Sequence, residues 1–167
     1  HHLAVQPEPR LREISFGDWE GRTHQEIEED NSQSLARWFD DPMHRSPPGG
    51  ETLRAVTERV QDAYKNIVKH HAEDTVAVVA HGGTLRVLLC VALEVPPERY
   101  WRFRFDVASV SELSIYDEGA ILNALNDTAD LRQRSQPPST SAQRDSIVMA
   151  GSCQPSPCRS SLRGDQT

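Results

Sequence analysis

Two short stretches of this 167-residue chain carry side chains able to do chemistry. In the first, Val-Val-Ala-His-Gly-Gly-Thr-Leu-Arg (78–86), an apolar, β-branched run from Thr75 to Ala80 empties through His81-Gly82-Gly83 into a helical pattern. The carboxyl end of a buried strand is where α/β proteins bind ligands. The free amides and positive dipole of a helix start favour an anion there. Gly82 and Gly83 would let the backbone approach that anion with no Cβ in the way, and a protonated His81 would add a charge-assisted hydrogen bond. A plain tight turn with a polar residue at a strand end explains the same residues. An esterase oxyanion segment would need a Gly-x-Ser-x-Gly elbow, and no such pentapeptide occurs. The second stretch, Leu-Arg-Glu-Ile-Ser-Phe-Gly-Asp-Trp-Glu-Gly (11–21), sets acidic residues among large apolar ones. A carboxyl desolvated beside Phe16 and Trp19 would hold its proton more tightly, as a general acid must. On these residues alone Glu13, Asp18 and Glu20 are equal candidates, and an ordinary surface loop anchored by Trp19 is the plain alternative.

The elements that must position these stretches follow from patterning. Thr23–Glu29 and Ser32–Asp40 read as two short helices. The Pro- and Gly-punctuated stretch Asp41–Gly50 reads as a loop. Glu51–His70 is the strongest helix, with Leu53, Val56, Val60, Ala63 and Ile67 on one face and charges opposite. Thr75–Ala80 reads as a strand covered on both faces, and Thr84–Leu93 as the helix after it. Pro96-Pro97 ends that helix and starts a turn through Tyr100. Val110–Tyr116 and Ala120–Leu125 read as a hairpin joined by Asp117-Glu118-Gly119. This order predicts a three-layer α/β/α sandwich with a mostly parallel sheet and an antiparallel edge hairpin. Residues 1–131 form the predicted domain. Residues 132–167, rich in Ser, Pro and Arg with an apolar island at Ile147-Val148-Met149, read as a disordered tail.

A formal charge of −7 argues against nucleic-acid or anionic-membrane partners held by bulk electrostatics. No apolar run reaches the ~20 residues of a membrane span. Three cysteines make no disulfide framework: Cys90 reads as a buried thiol, and Cys153 and Cys158 lack companion ligands, so no metal is expected. A reducing, cytoplasmic compartment fits this usage.

The motifs L-R-E-I-x-F-G-D-W-E-G, then P-G-G-E-T-L before a long helix, then V-V-A-H-G-G-T-L-R together resemble the phosphatase branch of the histidine phosphatase (phosphoglycerate-mutase-like) superfamily. They fall in the family's order over residues 11 to 90, and Leu125-Asn126-Asp127-Thr128 is similar to its closing strand. The resemblance implies a metal-independent, cofactor-free phosphomonoesterase working through a phosphohistidine on a small phosphorylated metabolite. By the same resemblance Glu13 is the proton donor and later the base, and His81 contacts the phosphoryl oxygens. Gly82 and Gly83 line the pocket, Phe16 borders the substrate, and Glu51 is structural, an acid in the first turn of its helix. DWEGRT and PPGGETL resemble α-ribazole-phosphatase-like enzymes. Mutase activity fits less well, because only about 30 residues separate Glu20 from Glu51, and the mutase branch carries a longer insertion there.

The family's nucleophile sits in an Arg-His-Gly motif on its first strand. Histidines occur here at positions 1, 2, 24, 44, 70, 71 and 81, and none is preceded by Arg and followed by Gly. The expectation is therefore a partial domain, incomplete at the N-terminus, derived from an active longer parent and inert by itself. Its Thr75–Ala80 strand would then expose an unpaired apolar edge. A non-catalytic phosphate-binding module and a structural remnant are the rivals.

Overall fold

The computed structural model describes residues 3–129 in full and residues 146–152 in their backbone. Three helices, α1 (His24–Asp40), α2 (Leu53–His70) and α3 (Gly82–Ala92), accompany four strands, β1 (Val76–His81), β2 (Val110–Tyr116), β3 (Gly119–Asp127) and β4 (Ser146–Ser152). Single 3₁₀ turns span Pro9–Leu11 and Gly17–Trp19, and a longer one spans Pro97–Arg102.

Helix α1 starts in a capping box, with Thr23 Oγ1 accepting from the Glu26 amide at 3.3 Å and the Glu26 carboxylate accepting from the Thr23 amide at 2.7 Å. At Asn31 the backbone is extended (φ −155°, ψ 74°) and splits α1 into the two segments expected from the sequence. The Asn31 side chain accepts from the Ser34 amide at 2.9 Å and so caps the second segment. Helix α2 begins two residues later than the patterning suggests, because Thr52 is its N-cap and Oγ1 accepts from the Ala55 amide. Glu51 therefore lies outside the helix and not in its first turn. The dipole is not what fixes it.

The apolar stripe of α2 (Leu53, Val56, Val60, Ala63) and the buried side of α3 (Leu85, Leu88, Leu89, Ala92) form one core with Val78 and Ala80 of β1, Leu113 of β2, and Phe105. At about 25 cal/mol per Å² of apolar surface removed from water, such a face holds the helices to the sheet without special contacts. Only this face of β1 is covered among the described residues. Val79, on the opposite face, is 76% exposed, where the uninterrupted apolar run had suggested cover on both sides. The run meets the burial requirement with alternate residues, and no described element packs on the other face. A second, smaller core joins Trp19 to Ile27, Leu35 and Trp38 of α1, with Phe16 between the two cores.

The strand order is β1-β4-β2-β3. β4 runs parallel to β1 from Val76↔Ile147 to His81↔Ser152 and antiparallel to β2 from Val110↔Ala150 to Ser114↔Ser146. The hairpin β2–β3 lies at the sheet edge as expected, but only one of the three pairings is parallel. The apolar island at 147–149, read in the sequence as part of a disordered tail, lies within β4, and it pairs one side of β1 that was expected to stand open. A β-branched apolar segment flanked by polar chain satisfies two ladders of backbone groups in that position, which composition averaged over 132–167 does not register. The other expectations for residues 130–145 and 153–167 lie outside the described residues.

Candidate functional site

Strand β1 delivers His81 to the sheet's carboxyl edge, and α3 starts at the next residue with His81 as its N-cap in extended conformation (φ −88°, ψ 158°). The first amides of such a helix need acceptors from outside it. Here the acceptor comes from the acid loop. Glu13 Oε2 accepts from the Gly83 amide at 3.3 Å, and Glu13 Oε1 accepts from the Thr84 amide at 3.0 Å and from Thr84 Oγ1 at 3.2 Å. The Ile14 amide donates to the same oxygen at 2.9 Å. Thr84 Oγ1 also meets the Arg12 carbonyl at 2.6 Å, tying the loop backbone to the helix. Glu13 and His81 are thus brought to the same helix terminus. Part of the anion-binding capacity expected for a ligand is taken by the protein's own carboxylate.

The two glycines have different duties. A Cβ on Gly83 would stand 2.7 Å from Glu13 Oε1 and 3.0 Å from Ile14 Cδ1, so Gly83 is the space into which the carboxylate fits. A Cβ on Gly82 would meet nothing within 4 Å. Gly82 faces open space next to His81 in the chain.

Of the three carboxylates the sequence left equal, only Glu13 reaches α3. Glu20 folds back to accept from Ser15 Oγ at 3.1 Å and the Phe16 amide at 3.0 Å, closing the loop on itself. Asp18 is exposed, and its amide is bound to the Pro48 carbonyl at 2.9 Å. Trp19 is buried in the second core against Trp38 (ring centroids 5.7 Å apart, planes at 88°). The setting of Glu13 is consequently one of amide donors, where sequence had suggested apolar desolvation. Phe16 is half-buried and meets Trp38 edge-on at 6.0 Å, which places it at the junction of the two cores beside the acid loop. Arg86 donates through Nε to the Phe103 carbonyl at 2.9 Å and is engaged with the segment after the Pro97–Arg102 turn.

The Pro-Gly-Gly-Glu segment forms the wall of the acid loop. Gly17 (φ +53°) presses so closely on it that a Cβ there would lie 2.1 Å from the Pro48 carbonyl oxygen. The Glu51 amide donates to the Ser15 carbonyl at 2.9 Å, and a Glu51 carboxylate oxygen accepts from the Ser15 amide at 3.1 Å. Burial pushes the Glu51 carboxyl up, but the Arg59 hydrogen bonds, the Ser15 amide and the charges of Arg59 and Arg12 outweigh it and hold the group below its ordinary value.

Two participants escaped the sequence reading. Patterning shows Thr84 only as the first residue of a helix, yet its hydroxyl and amide both hold the acid loop. Patterning places Arg59 only among the charges opposite the apolar face of α2, yet it bonds to Glu51 and to the backbone of the acid loop. Its one visible signal is register, since it lies three residues after Val56 and four before Ala63, on the border of the apolar stripe. Among the described residues no group of three or more His, Cys, Asp or Glu could hold a metal ion, and no helix is long and apolar enough to cross a membrane.

Residues 1–128 match the sequence model of the histidine phosphatase superfamily (branch 1). Over 127 residues the chain is 32% identical to the adenosylcobalamin/α-ribazole phosphatase of Escherichia coli (strain K12), covering 76% of this chain and 63% of the relative. It is likewise 32% identical over 130 residues to phosphoserine phosphatase 1 of Hydrogenobacter thermophilus, covering 78% and 62%. The crystal structure of the α-ribazole phosphatase from Shigella flexneri superposes with a TM-score of 0.69 at 30% identity, over 75% of this chain and 62% of that one. The chain thus spans less than two-thirds of the length of these relatives.

Proposed function

Starting from the fact that the chain belongs to the histidine phosphatase superfamily, we propose that it carries the acid–base and phosphate-contacting part of a metal-independent phosphomonoesterase. Its substrate class is a small phosphorylated metabolite. The observation that carries this reading is the seating of the Glu13 carboxylate on the Gly83 and Thr84 amides, two and three residues after His81. An imidazole and a carboxyl group at one helix start can serve the two ends of a P–O bond. His81, when protonated, neutralises charge on the non-bridging oxygens. The open backbone at Gly82 lets the phosphoryl group approach. Glu13 is the group that passes a proton to the departing alkoxide and then takes one from the attacking water.

The remaining part of the reaction, attack of an imidazole on phosphorus to give a phosphohistidine, belongs in this proposal to an Arg-His-Gly segment supplied by a longer parent. The 167 residues alone should then be inert. The test is turnover of p-nitrophenyl phosphate by the chain. No turnover is expected, whereas turnover abolished by His81→Ala would show that the chain supplies its own nucleophile. In a parent chain extended to include Arg-His-Gly, Glu13→Gln should lower kcat by about 10²-fold or more. An unchanged kcat there refutes the role of Glu13. The names of the relatives, an α-ribazole phosphatase and a phosphoserine phosphatase, support a phosphatase over a mutase, as does the short interval between Glu20 and Glu51.

One observation favours a second reading, a non-catalytic phosphate-binding module. Because β4 pairs β1 along its whole length and joins it to β2, the described residues form a continuous sheet with the His81 edge in place. Inorganic phosphate titration followed by His81 imidazole resonances separates the two. A self-sufficient module saturates with inorganic phosphate by itself, whereas a part of a larger site, lacking its Arg-His-Gly segment, binds it only weakly.

A further inference from the structure

We propose that Arg59 is the positioning residue for Glu13, fixing from α2 the peptide that carries the acid, with Glu51 as its counter-ion. The guanidinium has five N–H donors in one plane, and all five are engaged. Nε donates to Glu51 Oε1 at 2.9 Å and Nη2 to Glu51 Oε2 at 3.0 Å, a bidentate pair. The remaining three go to backbone: Nη1 to the Arg10 carbonyl at 2.6 Å and the Arg12 carbonyl at 2.9 Å, and Nη2 to the Glu13 carbonyl at 3.2 Å. Side-chain exposures of 11% for Arg59 and 16% for Glu51 keep these bonds largely out of water.

An ion pair that only stabilised the fold would be complete with Glu51. The three carbonyl contacts make this one different, because they surround the attachment point of Glu13. The carbonyl before Glu13 is held by Arg59 and Thr84, its own carbonyl is held by Arg59, and the Ser15 amide beyond it is held by Glu51. The main chain at Glu13 is thereby fixed to α2 on one side while its carboxylate is fixed to α3 on the other. Reacting groups must be placed to within roughly 0.5 Å to be productive, and a loop pinned to α2 by Arg59 and to α3 by Thr84 meets that demand where a loop alone would not. A lysine keeps the charge but has a single tetrahedral donor group and cannot hold Glu51 and three carbonyls together.

This role rests on the reading of Glu13 as the acid, and the experiment separates the two. Hydrogen exchange at the Gly83 and Thr84 amides reports whether the Glu13 carboxylate is seated, while exchange at Leu89 and Cys90 reports opening of α3 as a whole. In the full chain, Arg59→Lys should speed exchange at Gly83 and Thr84 about tenfold relative to Leu89 and Cys90, the equivalent of about one lost hydrogen bond. Arg12→Ala, which also removes an ion pair from Glu51 but leaves the fork intact, should leave that ratio unchanged. An unchanged ratio in Arg59→Lys, whatever happens to the melting temperature, overturns the positioning role. Should Arg59→Lys not fold, Glu51→Gln keeps the shape and removes the counter-charge, and a ratio equal to wild type in that variant overturns the proposal equally. Glu13→Ala gives the reference. If it leaves exchange at Gly83 and Thr84 unaltered, the seating and the functional reading fall with it. If it raises exchange and Arg59→Lys does not, only the role of Arg59 falls.

Discussion

Consider the replacement of Gly83 by alanine. The added Cβ would stand 2.7 Å from Glu13 Oε1, 3.0 Å from Ile14 Cδ1 and 3.3 Å from Glu13 Cδ. The first of these is well inside contact distance, so the carboxylate has to retreat by several tenths of an ångström. It then loses or stretches the bonds from the Gly83 amide (3.3 Å) and the Thr84 amide (3.0 Å). A hydrogen bond to a charged acceptor contributes about 1.5–3 kcal/mol net. Against this, Gly to Ala inside a helix gains up to about 1 kcal/mol. The expected balance for Gly83→Ala is a loss of about 1 kcal/mol, together with displaced Thr84 amide resonances. Gly82→Ala is the control, because its Cβ meets nothing within 4 Å. It should match or slightly exceed the wild-type stability, and by filling the pocket side of the helix start it should weaken inorganic phosphate binding. Urea denaturation by circular dichroism, with the Thr84 amide followed by NMR, measures both. If Gly83→Ala is as stable as Gly82→Ala and the Thr84 amide does not move, the carboxylate does not occupy the helix start and the site has been built wrongly.

Other perturbations test the supports. Glu51 has a folded-state pKa below its ordinary 4.5, so its contribution is complete above that value and is lost as pH falls through the folded one. The stability difference between wild type and Glu51→Gln should therefore shrink as melts are taken below about pH 4. Gly17→Ala places a Cβ 2.1 Å from the Pro48 carbonyl oxygen at φ +53°, and urea denaturation should show a loss of about 3 kcal/mol or more. Leu113 is fully buried where the sheet meets the helices, and Leu113→Ala should cost about 2–5 kcal/mol by the same assay.

Much of the architecture was legible because it is local. The 3.6-residue stripe Leu53, Val56, Val60, Ala63 found α2, the β-branched run found β1, and the short Asp117-Glu118-Gly119 connection found the hairpin, although Gly119 itself opens β3. The break expected between Glu29 and Ser32 falls at Asn31, a residue that caps more readily than it propagates. Where the expectation failed, it failed on what an element faces. Val79 is as apolar as Val78, and nothing in the run itself says that only one of them meets a core. Ile147-Val148-Met149 looked too small an island to matter, and its value comes only from the two strands it lies between.

The residues alone indicated that an imidazole followed by two glycines would end a strand at a helix start, and left residues 13, 18 and 20 equal as candidate acids in a separate stretch. Resemblance singled out Glu13, but only tertiary structure decided that it reaches Thr84 across 71 positions and that Arg59 reaches back 46 positions to hold its carbonyl. Periodicity encodes which side of an element avoids water. Partnership between polar groups is set by where separate elements come to rest, and only packing fixes that.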